Sequence, residues 1–97
     1  MQINIHQVHV ELHSGLKELI EKKVNKLNQF SDKIDHVDVY AKIENNTHHI
    51  KDKVIEIKLH IPKHECFASA TSKTFEVCID EALESITNQL KKLKERY

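Results

Sequence analysis

The order of hydrophobic periods constrains this chain more than any single motif. Ile3 and Ile5 alternate with polar neighbours, as in a strand with one buried face. Leu16, Leu19, Ile20, Val24, Leu27 and Phe30 then recur at helical spacing. Val37, Val39, Ala41 and Ile43 return to period two, followed by Ile55, Ile57, Leu59 and Ile61 and by a short third run from Glu65 to Ala70. A second helical stripe carries Phe75, Cys78, Ile79, Ala82, Leu83, Ile86, Leu90 and Leu93. Strands with one apolar face and helices with one apolar stripe predict an α+β fold, a two-layer β-α-β-β-β-α sandwich with both helices on one face of a four-stranded sheet. Ninety-seven residues with one glycine, one proline and no linker fit one domain over 1–97.

Local signals set the expected boundaries. The parity of Val8 and Val10 differs from that of Ile3 and Ile5, so strand one is expected to end or bulge near Gln7. Ser14 offers an N-cap hydroxyl to a helix from about Gly15 to about Gln29. Asn45, Asn46 and Thr47 read as a turn, Pro62 stops the third strand before a turn at Lys63 and His64, and Ser72 or Thr74 caps the second helix.

Fifteen acidic residues balance fifteen basic ones, so no global field favours nucleic acid, and any such binding rests on a local patch. Such a patch is available. Lys22 and Lys26 project from one flank of the first helix, whereas Lys23 falls within its apolar stripe and must lift its ammonium out along the core edge. Lys91, Lys92, Lys94 and Arg96 end the second helix, and residues 88–97 carry a local charge of +3. Basic last turns also complement the helix dipole, so a phosphate-tracking surface requires the two lysine sets to lie side by side. Tyr40 and Phe67 fall on the open sheet face, where an isolated aromatic ordinarily packs across strands, and no RNP-type motif accompanies them.

Chemistry has little foothold. One glycine excludes a glycine-rich phosphate loop, Asp80 and Glu84 read as a solvated helix face, and Cys78 lies on the core stripe. Cys66 and Cys78 fit buried thiols of a reducing compartment, and the chain lacks an apolar leader and any run long enough to span a membrane, so a soluble, cytoplasmic protein without membrane contact is expected. His6, His9 and His13, the adjacent His48 and His49, and His60 with His64 and Cys66 match no metal-site spacing and are read as solvated. An enzyme, a cofactor, a metal site and a small-molecule substrate are therefore not expected. The eight histidines make the chain a net cation at mildly acidic pH, where RNA binding should tighten.

Several segments together resemble one family: the opening MQINI, HVEL before the first helix, KKVNKLNQF within it, LHIP at a strand end, ECFASATS, and Cys78-Ile79-Asp80. In order and spacing they resemble the bacterial hibernation promoting factor and ribosome-associated inhibitor A family, also called sigma-54 modulation or S30EA ribosomal proteins. The resemblance implies a β-α-β-β-β-α fold like that of a double-stranded-RNA-binding domain. It implies binding to the small ribosomal subunit and its rRNA, where mRNA and tRNAs would sit, and silencing of ribosomes in stationary phase or stress by occupancy. The family's basic positions fall here on Lys17, Lys23, Lys26 and Lys33, and on Lys92, Lys94 and Arg96. Where members commonly read DMYAAID this chain reads TFEVCID, and Ser85 and Asn88 stand at positions that are often basic, so Thr74, Glu76, Ser85 and Asn88 are departures. Ending at Tyr97, the chain resembles the short type, which acts with a ribosome modulation factor. A second reading, from the older family name, is a protein-interaction regulator that modulates sigma-54-dependent transcription.

Overall fold

The computed structural model describes residues 1–45 and 51–95. It contains β1 (Gln2–Val8), α1 (Ser14–Asn25) running into a 3-10 turn (Lys26–Gln29), β2 (His36–Asn45), β3 (Lys51–Ile61), β4 (His64–Ser72) and α2 (Phe75–Glu95). The sheet order is β1-β2-β3-β4, with β1 parallel to β2 and the other pairs antiparallel. The α+β sandwich is as the periodicity predicts.

The buried side of the sheet is the alternating set the sequence marks. Val37, Val39 and Ala41 face Leu59, Ile57 and Ile55, which face Cys66, Ala68 and Ala70, and all are buried. Both helices lie on this face: Leu16, Ile20, Val24 and Leu27 from the first, and Phe75, Cys78, Ile79, Ala82, Ile86 and Leu90 from the second, join one core cluster. The small residues of β4 let α2 approach the sheet closely. At the outer edge of β4, the Gln89 side chain of α2 accepts from the Phe67 N–H at 3.2 Å and donates to the Phe67 carbonyl at 2.7 Å. Cys66 and Cys78 are buried free thiols. No helix among the described residues is long and apolar enough to cross a membrane.

Several boundaries differ from expectation for identifiable reasons. Strand β1 holds its register through Val8, and the parity change falls at His9, whose φ of 56° is left-handed. The Gln7 side chain accepts from the Leu12 N–H at 2.6 Å and secures the loop that follows. His13, rather than Ser14, caps α1, its Nδ1 accepting from the Leu16 N–H at 3.1 Å, and Ser14 becomes the first helical residue. The first helix is α-helical only to Asn25 and tightens to 3-10 from Lys26. Strands β3 and β4 both extend beyond their apolar runs, because pairing continues through polar residues such as Lys53 and Ser72. Their turn is Pro62-Lys63, one residue earlier than expected, closing between Ile61 and His64. Thr74 caps α2, its hydroxyl accepting from the Val77 N–H at 3.3 Å. Asn45 ends β2 within the sheet, while Asn46, Thr47, His48 and His49 of the expected turn lie outside the described residues.

Candidate nucleic-acid interface

The topology decides where the lysines meet. Strands β1, β2 and β4 run in one direction, and each helix returns antiparallel to the strand before it. The helices are therefore parallel and end at the same end of the sheet, beside the 30–35 loop and the Pro62-Lys63 turn. Asn28, Gln29, Ser31 and Lys33 line one cleft of about 570 Å³ together with Pro62, Lys63, Leu90 and Leu93. The floor of this cleft is apolar and its rim carries Lys33 and Lys63.

A second hollow separates the helices, lined by Lys23, Lys26, Phe30, Asp80, Leu83 and Glu84. Lys23 runs along the core edge, as its place in the stripe requires, and its ammonium forms an ion pair with Asp80 of α2. Lys91 of α2 lies over the Phe30 ring, 5.6 Å from its centroid, so the two helix ends touch. Lys26, Lys33, Lys63 and Lys92 are exposed and form no ion pair with any described residue. Carboxylates do stand nearby, Asp32 on the cleft and Glu84 on the hollow, so the cationic character belongs to the helix ends rather than to the length of the groove.

The remaining expected residues are distributed differently. Lys22 lines a hollow on the β1 side with Met1, Ile3, Glu18 and Glu21, while Lys26 faces α2, so the two do not share one flank. Four residues at about 100° each turn Lys26 about 40° past Lys22, toward the side of Lys23 and α2, while Lys22 stays with Glu18 and Glu21. Lys17 stands in the first turn of α1, at the far end of that helix from the cluster. Lys94 belongs to the last described turn of α2, and Arg96 lies outside the described residues. The lysine that sequence reasoning missed is Lys63, whose φ of 69° is left-handed. Proline at the preceding position fits a turn that demands positive φ at the next residue, where glycine or asparagine is usual, and that was the available signal.

On the open sheet face, Tyr40 stacks on His6 at 4.6 Å and receives Lys58 at 5.8 Å, while Phe67 is 46% exposed. Of the departures from the family pattern, Glu76, Ser85 and Asn88 are exposed on α2, and the Ser85 hydroxyl accepts from Gln89 at 3.3 Å.

Comparison with known proteins places this arrangement among relatives. Residues 3–97 match the family described as sigma 54 modulation protein / S30EA ribosomal protein. The ribosome hibernation promoting factor of Escherichia coli K12 is 33% identical over 96 residues, covering 99% of this chain and 96% of that protein. The factor of the same name from Pseudomonas putida KT2440 is 34% identical, covering 99% of this chain and 89% of that protein. Among solved structures, a ribosomal subunit interface protein from Coxiella burnetii superposes with a TM-score of 0.87 at 23% identity, covering 98% of this chain and 99% of that one. The N-terminal domain of Thermus thermophilus Protein Y gives a TM-score of 0.75 at 18% identity, covering 96% and 99%.

Proposed function

The chain belongs to the sigma 54 modulation protein / S30EA ribosomal protein family, and from that premise we propose that it is a ribosome-associated translation silencer. It binds the small ribosomal subunit in the path of mRNA and tRNAs and preserves idle ribosomes in the cytoplasm during stationary phase or stress. The observation that carries this reading is the gathering of Lys26, Lys33, Lys63, Lys91 and Lys92 at one end of the sheet, none of them in an ion pair with a described residue. Exposed ammonium groups outside ion pairs can neutralise phosphates and release the counterions condensed on a nucleic-acid backbone. The names of the relatives, ribosome hibernation promoting factor and ribosomal subunit interface protein, support a ribosomal partner.

The mechanism is occupancy. Lysines on the helix ends neutralise rRNA phosphates, and the two-layer body fills space that mRNA or tRNA would otherwise take. No bond is made or broken, and no cofactor is required.

Sedimentation of the purified chain with vacant ribosomes and separated subunits through a sucrose gradient tests the proposal. Co-migration with the small subunit, weakened by Lys26→Glu plus Lys92→Glu, is expected. Folded protein left at the top of the gradient would refute it. Capture of a protein partner that survives nuclease treatment would favour the transcription-regulator reading instead.

A further inference from the structure

The open face of the sheet, opposite the helices, carries a cluster of histidines and a carboxylate. His36 and His60 are register partners on β2 and β3, and their rings stack 4.1 Å apart at 20°. Asp38, two residues along β2 from His36, points to the same face. Its Oδ2 lies 3.8 Å from His36 Nε2 and 3.6 Å from His60 Nε2. One donor atom from each of the three lies within 4.8 Å of the other two, and all three side chains are half-buried.

The atoms behind these donors are also placed. Asp35 Oδ2 lies 3.2 Å from His36 Nδ1, and Glu65 Oε2 lies 3.4 Å from His60 Nδ1. In a neutral imidazole, a carboxylate at Nδ1 fixes the proton there and leaves the lone pair on Nε2, the atom facing Asp38. The Asp38 carboxylate is oriented in turn, its Oδ1 accepting from Asn4 at 3.1 Å and lying 3.1 Å from His6 Nε2. Carboxylates behind metal-bound histidines, and hydrogen bonds behind a metal-bound carboxylate, are the usual supports of a metal site. With the rings neutral, two lone pairs and a carboxylate oxygen would face one another across this gap, an arrangement that favours a cation between them.

We propose that His36 Nε2, His60 Nε2 and Asp38 Oδ2 bind a divalent transition-metal ion of the zinc class, with water completing the coordination. Two imidazoles and one carboxylate suit zinc and its neighbours rather than calcium or magnesium. A tetrahedral ion at about 2.1 Å from each donor holds the donors about 3.4 Å apart, within a few tenths of an ångström of the two distances to Asp38. Because a bound ion lies near the plane of each ring, binding tilts His36 and His60 out of their stack. The site lies at the end of the sheet that holds the Pro62-Lys63 turn.

The test is calorimetric titration of the tag-free, chelator-stripped full chain with Zn²⁺, supported by Co²⁺ absorption and by histidine ring resonances. One equivalent is expected to bind, shifting the His36 and His60 rings. His60→Ala and Asp38→Asn should each weaken binding at least tenfold, as should Glu65→Gln, whose side chain is 52% exposed and whose loss leaves the core intact. His9→Asn, outside the cluster, should change nothing. Absence of saturable binding to the folded wild-type chain would overturn the proposal, leaving the cluster a site for protons alone. So would one-to-one binding that survives His60→Ala and Asp38→Asn, since other histidines would then hold the ion.

Discussion

Reversing charge at Lys26 and Lys92 provides the sharpest test of the interface, because it should change the salt slope as well as weaken binding. Each phosphate contact contributes roughly −0.8 to the slope of log affinity against log salt, between the duplex and single-strand values. Lys26, Lys33, Lys63, Lys91 and Lys92 gather at one end, so five contacts give a slope of about −4. Affinity for the small subunit should then fall roughly 250-fold between 50 and 200 mM salt. Lys26→Glu with Lys92→Glu leaves three contacts, a slope of about −2.4 and a fall of roughly 30-fold over the same range. Both residues are exposed, so the fold should be unaffected, as circular dichroism would check. Fluorescence anisotropy of the labelled chain against purified small subunits across a salt series reads the slope directly. An unchanged slope in the double variant would refute the placement of these lysines on phosphate, even if affinity itself dropped.

Three further outcomes follow from local geometry. Lys63→Gly removes a side chain from a left-handed backbone, so stability in urea denaturation should rise by about 1 kcal/mol while the salt slope shrinks by roughly 0.8; a stability loss would show that the turn is not strained. Asp80→Asn frees the Lys23 ammonium, and since this is an exposed pair the stability cost should stay below about 1 kcal/mol while small-subunit binding tightens in the same anisotropy assay. Burial, with Glu65 beside Cys66, pushes the Cys66 and Cys78 thiols above their ordinary 9.0. The fold therefore favours the protonated thiols, and that stability is fully present below pH 9.0 and lost as pH rises through the folded values. Thiol labelling at pH 8 should be on the order of 100-fold slower in the native chain than in denaturant, and equal rates would contradict the burial.

Much of the fold was legible because the period of apolar residues reports which side of an element is buried. The alternations through Val37, Val39 and Ala41 and through Ile55, Ile57, Leu59 and Ile61, with the two helical stripes, mark the elements and their inner faces, while Ile43 of the same run is exposed. What was illegible depends on backbone geometry that side-chain type does not encode. His13 is not among the usual capping residues, yet it caps α1. Lys22 and Lys26 differ by only about 40° on a helical wheel, and which neighbouring element each one meets is settled by packing. His36 and His60 lie far apart in sequence and meet only through strand register, so the Asp38 cluster could not be found before the pairing was known. Lys23 was placed correctly at the core edge, but its Asp80 partner is a tertiary fact.

The Gln89 side chain, which takes up both backbone groups of Phe67, makes α2 the terminator of the sheet. An uncovered edge strand is a template on which any extended segment can continue the ladder. Here one donor and one acceptor at the middle of β4 are already satisfied from within the chain, so a ladder continued through Phe67 must first break two hydrogen bonds. The same helix that brings lysines to the candidate interface thus guards the middle of the β4 edge against a strand from another copy.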